Sequence, residues 1–243
     1  MTGATLWGIL GKIRKVGGEL RYYPVNLDLH DRLVVIVGGG AVAARKARRL
    51  VSAGARLRVI APQLDDRLAA LAAAGDLTHL ARCYVSGDLH GALLAFAATD
   101  DAAVNLAVAA EAKRVGILID VVDAARRSDF TTPALLERGD LLITVSTGGA
   151  SPGLSRRIVF QLEPLFGEEY AETVTLLAEV REKILTEKGG SAYNERVFAE
   201  LAALNLPDMI KNGQRDAIDQ LLLKLSASGS DPGPDGAEKK DPS

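Results

Sequence analysis

A glycine-rich turn carries the most specific chemical signal in this sequence. An apolar, β-branched run at 33–37 leads into Gly38-x-Gly40-x-x-Ala43, and a helical pattern follows. Between a strand and a helix, this spacing is the fingerprint of a dinucleotide-phosphate site. Gly38 permits the tight turn, Gly40 lets the backbone approach a pyrophosphate, and Ala43 lets the helix lie close to the strand. A glycine-rich turn without a ligand is the alternative, which the flanking elements disfavour.

Strands and helices alternate after this turn and must position any ligand. We predict strands at 56–60, 77–80, 93–98 and 116–122, and helices at 64–74 and 102–115. Such alternation predicts a parallel sheet with right-handed crossovers. Ligands then bind beyond the carboxyl ends of the strands, where the first and fourth strands are neighbours. We therefore expect three segments to converge, namely 38–42, 99–101 and 120–123.

The second half of the sequence has a different pattern. A predicted strand at 141–146 ends in a Thr-Gly-Gly turn, after which Ser151 and Pro152 suit the N-cap and first position of a helix. From there to about residue 225, apolar residues recur at helical spacing. The sequence thus predicts an α/β fold, in which a Rossmann-like parallel sheet is followed by a small strand-rich segment and an all-helical C-terminal domain.

Composition restricts the function classes. The net charge of −2 gives no reason to expect nucleic acid or an anionic membrane as a partner. Cys83 is the only cysteine, so an intramolecular disulfide is excluded, and we expect a half-buried side chain rather than a reactive thiol. The apolar residues near the N-terminus lack a cleavage pattern and a spanning-length run, which favours a cytoplasmic protein without membrane contact.

Several motifs, taken together, resemble one family. They are Tyr23-Pro24-Val25, Gly38-Gly39-Gly40-x-Val42-Ala43-x-Arg45-Lys46, Ala98-Thr99-Asp100-Asp101-x-x-x-Asn105, Val121-Val122-Asp123, Asp129-Phe130-x-x-Pro133-Ala134 and Ser146-Thr147-Gly148-Gly149-x-Ser151-Pro152. The sequence resembles the precorrin-2 dehydrogenase/sirohydrochlorin ferrochelatase family, the first module of siroheme synthase, over roughly residues 22–185.

The resemblance implies NAD-dependent oxidation of precorrin-2 to sirohydrochlorin, followed by insertion of ferrous iron to give siroheme. Some members of the family perform only the oxidation, which is an alternative here. Longer relatives add a methyltransferase module, whereas we expect no methylation by this chain. The implied organisation is an N-terminal extension (1–21), an NAD-binding domain (22–132), a dimerisation segment (133–150), a helical domain (151–225) and a disordered tail (226–243). We accordingly expect a homodimer.

The resemblance assigns the catalytic role to Asp123. A carboxylate at the mouth of the crevice could accept the proton that precorrin-2 loses during hydride transfer, and later the pyrrole N–H protons displaced by iron. Without the resemblance, a loop carboxylate bonded to backbone would be the simpler interpretation. Asp120 replaces an asparagine of many relatives. It could shift a pKa, bind iron transiently or point elsewhere.

The remaining site residues divide between cofactor and substrate. For NAD we predict contacts from Gly38, Gly39, Gly40, Ala41, Val42, Pro62, Gln63, Thr99 and Asp100. Thr99 and Asp100 also suit a helix N-cap, which is compatible with ligand contact. For the substrate carboxylates we predict Ser146, Thr147, Gly148, Arg156 and Arg157. The charged residues of the helix after the glycine turn, Lys46 among them, are expected to face water.

Two features limit the cofactor and metal assignments. Residues 59–63 lack the acidic residue that usually holds an adenosine ribose, so NAD is chosen over NADP on the resemblance alone. His30, His79 and His90 do not have a metal-binding spacing, so iron is expected as a substrate without a resident metal site. A different NAD-dependent oxidoreductase and a non-catalytic NAD-sensing module are the rival hypotheses.

Overall fold

The computed structural model describes residues 22–122, 124–187, 198–201 and 203–227. The chain forms two compact units, which join between Thr132 and Pro133 in the sequence. The predicted N-terminal extension lies outside the described residues, and so does the predicted tail from residue 228 onward.

A parallel sheet with helices on both faces forms the first unit. Its strands are β1 (Leu33–Val37), β2 (Arg56–Ile60), β3 (Leu77–Leu80), β4 (Leu94–Ala97) and β5 (Leu118–Val121), and its helices are α1 (Ala41–Ser52), α2 (Asp66–Ala74) and α3 (Ala102–Val115). The strand order is β3-β2-β1-β4-β5, with all neighbours parallel. The predicted Rossmann-like sheet is therefore confirmed, and β1 and β4 are adjacent.

Both faces of the sheet are buried, which explains the continuous apolar runs. Val34 and Ile36 of β1 pack on one side with residues of α1 and α2, whereas Val35 and Val37 pack on the other side with residues of α3. Alternate residues of a strand point to opposite faces, so a strand covered on both sides must be apolar throughout. The carboxyl ends of β1 and β4 are thereby left as the open edge where a ligand can bind.

The second unit combines a hairpin with helices. Its elements are β6 (Ala134–Arg138), β7 (Leu141–Val145), α4 (Pro152–Leu162), α5 (Glu169–Glu187), α6 (Leu206–Lys211) and α7 (Arg215–Ala227). β6 and β7 pair antiparallel. Ser151 is the N-cap of α4 as predicted, since its Oγ accepts the Leu154 N–H at 3.2 Å. The helical pattern extends two residues beyond the predicted domain end at 225.

Cys83 departs from expectation. Its side chain is exposed rather than half-buried, because the segment after β3 runs over the surface before β4 begins. None of the helices in the described part of the chain is long and apolar enough to cross a membrane.

Candidate dinucleotide-binding site

The glycine turn is held from two sides by backbone of other segments. Gly38 has a φ of 128°, and a Cβ there would lie 2.2 Å from the Ala98 carbonyl oxygen, at the end of β4. A Cβ on Gly39 would lie 1.9 Å from the Gln63 carbonyl oxygen, in the loop after β2. These positions exclude any side chain because the chain passes too closely. The turn is thus packed against both neighbouring strand ends.

Gly40 differs from Gly38 and Gly39. It is the N-cap of α1 with ordinary extended dihedral angles (φ −89°, ψ −172°), and a Cβ built there meets no atom within 4 Å. Nothing in the packing of the described residues therefore demands glycine at this position. The first N–H groups of a helix have no partner within the helix. A glycine backbone beside such groups, with open space before it, fits a bound pyrophosphate.

The predicted cofactor residues lie along one edge of the sheet. The contacts of Gly38 and Gly39 bring segments 38–42, 62–63 and 98–100 together, with Pro62, Gln63 and Asp100 exposed. Thr99 is half-buried and fixed by Asn105, whose Oδ1 accepts the Thr99 N–H at 3.1 Å and whose Nδ2 donates to the Thr99 carbonyl at 2.8 Å. Asn105 is the last residue of the motif that begins at Ala98, but the sequence did not predict that it would hold Thr99 in place.

The N-cap of α3 is Asp101, whereas Thr99 and Asp100 were the candidates from sequence. Its Oδ1 accepts the N–H groups of Ala103 and Val104 at 2.8 and 3.2 Å. The Thr99 hydroxyl instead accepts the Asp101 N–H at 3.2 Å. Asp100 therefore does not cap α3.

Asp123, the predicted catalytic residue, lies outside the described residues. The chain is described on both sides of it. The Val122 N–H donates to the Ala97 carbonyl at 2.9 Å, so the chain just before Asp123 stays beside the end of β4. Further on, the Ser128 Oγ accepts the Val121 N–H at 2.9 Å, and the Asp129 Oδ2 accepts the Ile119 N–H at 3.1 Å. These bonds hold Ser128 and Asp129 against the outer edge of β5.

Lys46 contradicts the expectation that it faces water. Its Nζ lies 2.7 Å from the Asp120 Oδ2, and both side chains are only 13% exposed. The ammonium group also stands over the Phe96 ring at 4.6 Å. α1 crosses the face of the sheet on which Phe96 and Asp120 are register neighbours, and this places the lysine between them. Asp120 is consequently ion-paired and is not a second free acid.

The predicted substrate residues all belong to the second unit. The Ser146 Oγ accepts the Gly148 N–H at 3.2 Å, and the Thr147 Oγ1 accepts the Ser151 N–H at 3.0 Å. These bonds, together with positive φ at Gly148, shape the turn between β7 and α4. Arg156 and Arg157 are exposed on α4. Exposed guanidinium groups can bind carboxylates.

Metal-ligating side chains and the arginines of β2 are the other groups that could take part in chemistry. Among the described residues, no group of three or more histidine, cysteine, aspartate or glutamate side chains is arranged to hold a metal. The His79 Nε2 lies 2.9 Å from the Ala61 carbonyl oxygen, between the ends of β3 and β2. Arg56 is exposed, whereas Arg58 is half-buried and donates to the Asp88 carbonyl at 3.3 Å. The two arginines of β2 therefore differ in their surroundings, although both lie on the same face of the strand.

Gly38, Gly39 and the open space at Gly40 together form a glycine cradle. The fold and this cradle define a Rossmann-like protein of the NAD(P)-binding class. A family model described as NAD(P)-binding matches residues 25–134. A siroheme synthase of Chromobacterium violaceum is 38% identical over 213 residues, which cover 87% of this chain and 45% of the relative. A siroheme synthase of Pseudomonas putida is 42% identical over 163 residues, covering 67% of this chain and 35% of the relative. The chain thus spans less than half the length of these relatives.

One solved structure resembles this chain along the full length of the solved protein. The precorrin-2 dehydrogenase SirC is 28% identical, has a TM-score of 0.67 and is covered completely by 84% of this chain. The chain belongs to the family of the N-terminal dehydrogenase module of siroheme synthase, and the resemblance stated from the motifs is confirmed.

Proposed function

We propose that this protein oxidises precorrin-2 to sirohydrochlorin with NAD and then inserts ferrous iron to give siroheme. The observation that carries the proposal is the open space at Gly40, which follows β1, whose neighbour β4 ends beside Val122. The names of the relatives, siroheme synthase and precorrin-2 dehydrogenase, support the same reaction. When bound, NAD supplies a nicotinamide ring that accepts a hydride.

The protein's own residues have separate tasks in this proposal. Segments 38–42, 62–63 and 98–100 bind and orient the dinucleotide. Asp123 accepts the proton that precorrin-2 loses as its hydride leaves. In the second reaction, Asp123 accepts the pyrrole protons that ferrous iron displaces, while Arg156 and Arg157 bind substrate carboxylates. Iron is a substrate of this step and needs no permanent ligand set.

The test separates the two reactions. Purified protein is incubated with precorrin-2 and NAD, and ferrous iron is added afterwards, with absorption spectra recorded at each stage. Asp123→Asn keeps the size of the side chain and removes its charge. We expect oxidation to fall by roughly two to four orders of magnitude, the range for a lost general base, while NAD affinity changes little. Asp76→Asn, which alters an exposed carboxylate, is the matched control.

The outcomes bear on different parts of the proposal. Normal oxidation by folded Asp123→Asn would remove that residue from the mechanism. Oxidation without iron insertion by the unaltered protein would limit the function to the dehydrogenase. Nucleotide binding without any turnover would instead identify an NAD-sensing module.

A further inference from the structure

An aspartate–arginine pair lies beside the glycine turn. Asp65 belongs to the loop between β2 and α2, and its N–H donates to the Gly39 carbonyl at 2.7 Å. Its carboxylate binds Arg67 in bidentate fashion, with Nε–Oδ1 and Nη2–Oδ2 distances of 2.8 and 3.0 Å. The same carboxylate accepts the Arg67 N–H at 3.0 Å, which makes Asp65 the N-cap of α2. The pair is therefore anchored directly to the cradle.

The position of Asp65 is fixed, while the guanidinium group is accessible. The loop is seated so tightly that a Cβ on Gly39 would collide with the Gln63 carbonyl. The Asp65 side chain is 25% exposed and that of Arg67 is 66% exposed. Hydrogen bonds from Arg67 lower the pKa of Asp65 to about 2, so the carboxylate is charged throughout the neutral range.

The location of the pair matters for the adenosine end of a dinucleotide. In Rossmann-like sites, the region after the second strand faces the adenosine ribose, where a carboxylate favours the free 2′-hydroxyl of NAD and a nearby arginine accommodates the 2′-phosphate of NADP. Residues 59–63 contain no charged group. The first charged residues after β2 are Asp65, Asp66 and Arg67, and the cation among them is bound to a carboxylate.

We propose that Asp65 is a specificity-determining residue that makes the site select NAD over NADP. It does so by holding the guanidinium of Arg67 and by repelling a 2′-phosphate with its own negative charge. The inference rests on the proposed function, because it concerns the cofactor of that site. Asp66 adds a second negative charge to the same turn and acts in the same direction.

Asp65→Asn tests the inference by nucleotide binding rather than by turnover. Asparagine is an equally good N-cap, so the start of α2 should be kept. We expect NADP affinity to rise roughly fivefold to tenfold, as for one exposed charge-assisted contact, with NAD affinity changed less than about twofold. The NADP gain should shrink as salt is raised. Calorimetry with each nucleotide gives the affinities, and thermal unfolding checks the fold.

The double variant Asp65→Asn/Arg67→Gln identifies the source of the gain. If the freed guanidinium binds the 2′-phosphate, this variant should lose most of the added NADP affinity. Three results would overturn the inference: a preference of the unaltered protein for NADP, no NADP gain in Asp65→Asn, or a loss of NAD affinity alone, which would mean that Asp65 binds the ribose itself. Failure of the unaltered protein to bind either nucleotide would instead overturn the proposed function, and the inference with it.

Discussion

Gly38 and Gly39 are required by packing, since a Cβ at either position would lie within 2.2 Å of a carbonyl oxygen. Gly40 has no such neighbour among the described residues, yet the sequence presents all three as one motif. The structure therefore separates glycines that build the turn from one that leaves room for a ligand. A similar distinction applies to the charged residues of α1, among which Lys46 is held inside the unit and Arg45 is exposed.

Substitution of Gly40 should separate binding from folding. Gly40→Val places a β-branched side chain in the open space before the helix, at dihedral angles that valine adopts readily. We expect NAD binding to be lost in calorimetry, while the free energy of unfolding without NAD changes by about 1 kcal/mol or less. Gly39→Ala is the contrasting control, since it should destabilise the protein itself. Unchanged NAD affinity in folded Gly40→Val would contradict the assigned role.

The pair formed by Lys46 and Asp120 should show strong coupling. Lys46→Met leaves the Asp120 carboxylate, which is only 13% exposed, without its cation, and this should destabilise the first unit by about 2–4 kcal/mol in urea unfolding. Lys46→Met/Asp120→Leu should recover most of that loss, because no uncompensated charge remains. Arg45→Met is the control on the same helix, with an expected change within about 0.5 kcal/mol. Asp120→Leu alone completes the comparison. If the effects of the two single substitutions simply add up in the double variant, the pair is not coupled.

At the scale of elements, a buried carboxylate ties the β3–β4 connection to α3. Glu111 is 5% exposed and accepts the hydroxyl of Tyr84 together with the N–H groups of Gly87 and Leu89. Burial raises the pKa of Glu111, but these hydrogen bonds lower it by more, so that the pKa lies below its usual value. Charged Glu111 thus stabilises the loop and the helix that precedes β5.

Glu111→Gln should therefore have a pH-dependent cost. A carboxyl group whose pKa is lowered by folding contributes stability above its unfolded pKa, near 4.3, and loses that contribution as pH falls through the folded value. We expect the variant to be less stable by about 1–3 kcal/mol at pH 7, with the difference shrinking below about pH 4. Urea unfolding at both pH values measures it, with Asp76→Asn as an exposed control. A difference independent of pH would exclude the ionised carboxylate as the cause.

At the scale of the whole molecule, the hairpin of the second unit is the segment that we expect to form a dimer. A two-stranded hairpin has two strand edges, and Leu142 on β7 is 47% exposed. Apolar side chains and strand edges of this kind suit pairing with a second copy. The homodimer implied by the resemblance is therefore proposed to use residues 133–150.

Leu142→Glu tests that proposal. A charge at the centre of the proposed contact should weaken self-association by about 100-fold, the effect of losing one central interface residue. Analytical ultracentrifugation over a concentration series measures the shift toward monomer. Leu165→Glu changes another exposed leucine of the same unit, outside the hairpin, and should leave the association unchanged. Equal effects of both substitutions, or none from Leu142→Glu, would place the interface elsewhere.

Local signals determined most of the elements. The bounds predicted for β2, β3 and α3 are those observed, because apolar runs, flanking glycines and capping residues act within a few positions of the chain. The alternation of strands and helices also sufficed to predict the parallel sheet in which β1 and β4 are neighbours. The motifs likewise determined the family, since their order along the chain is more specific than any one of them.

Only the tertiary structure decided how distant charges pair. Lys46 and Asp120 are 74 positions apart, and nothing in the pattern of α1 distinguishes a lysine that packs on β4 and β5 from neighbours that face water. The sequence likewise could not show that Asp65 is tied to Gly39, since this bond depends on how closely the loop after β2 approaches the turn. Periodicity predicts which face of an element is buried, but ion pairs depend on the register between elements, which is decided when they pack together.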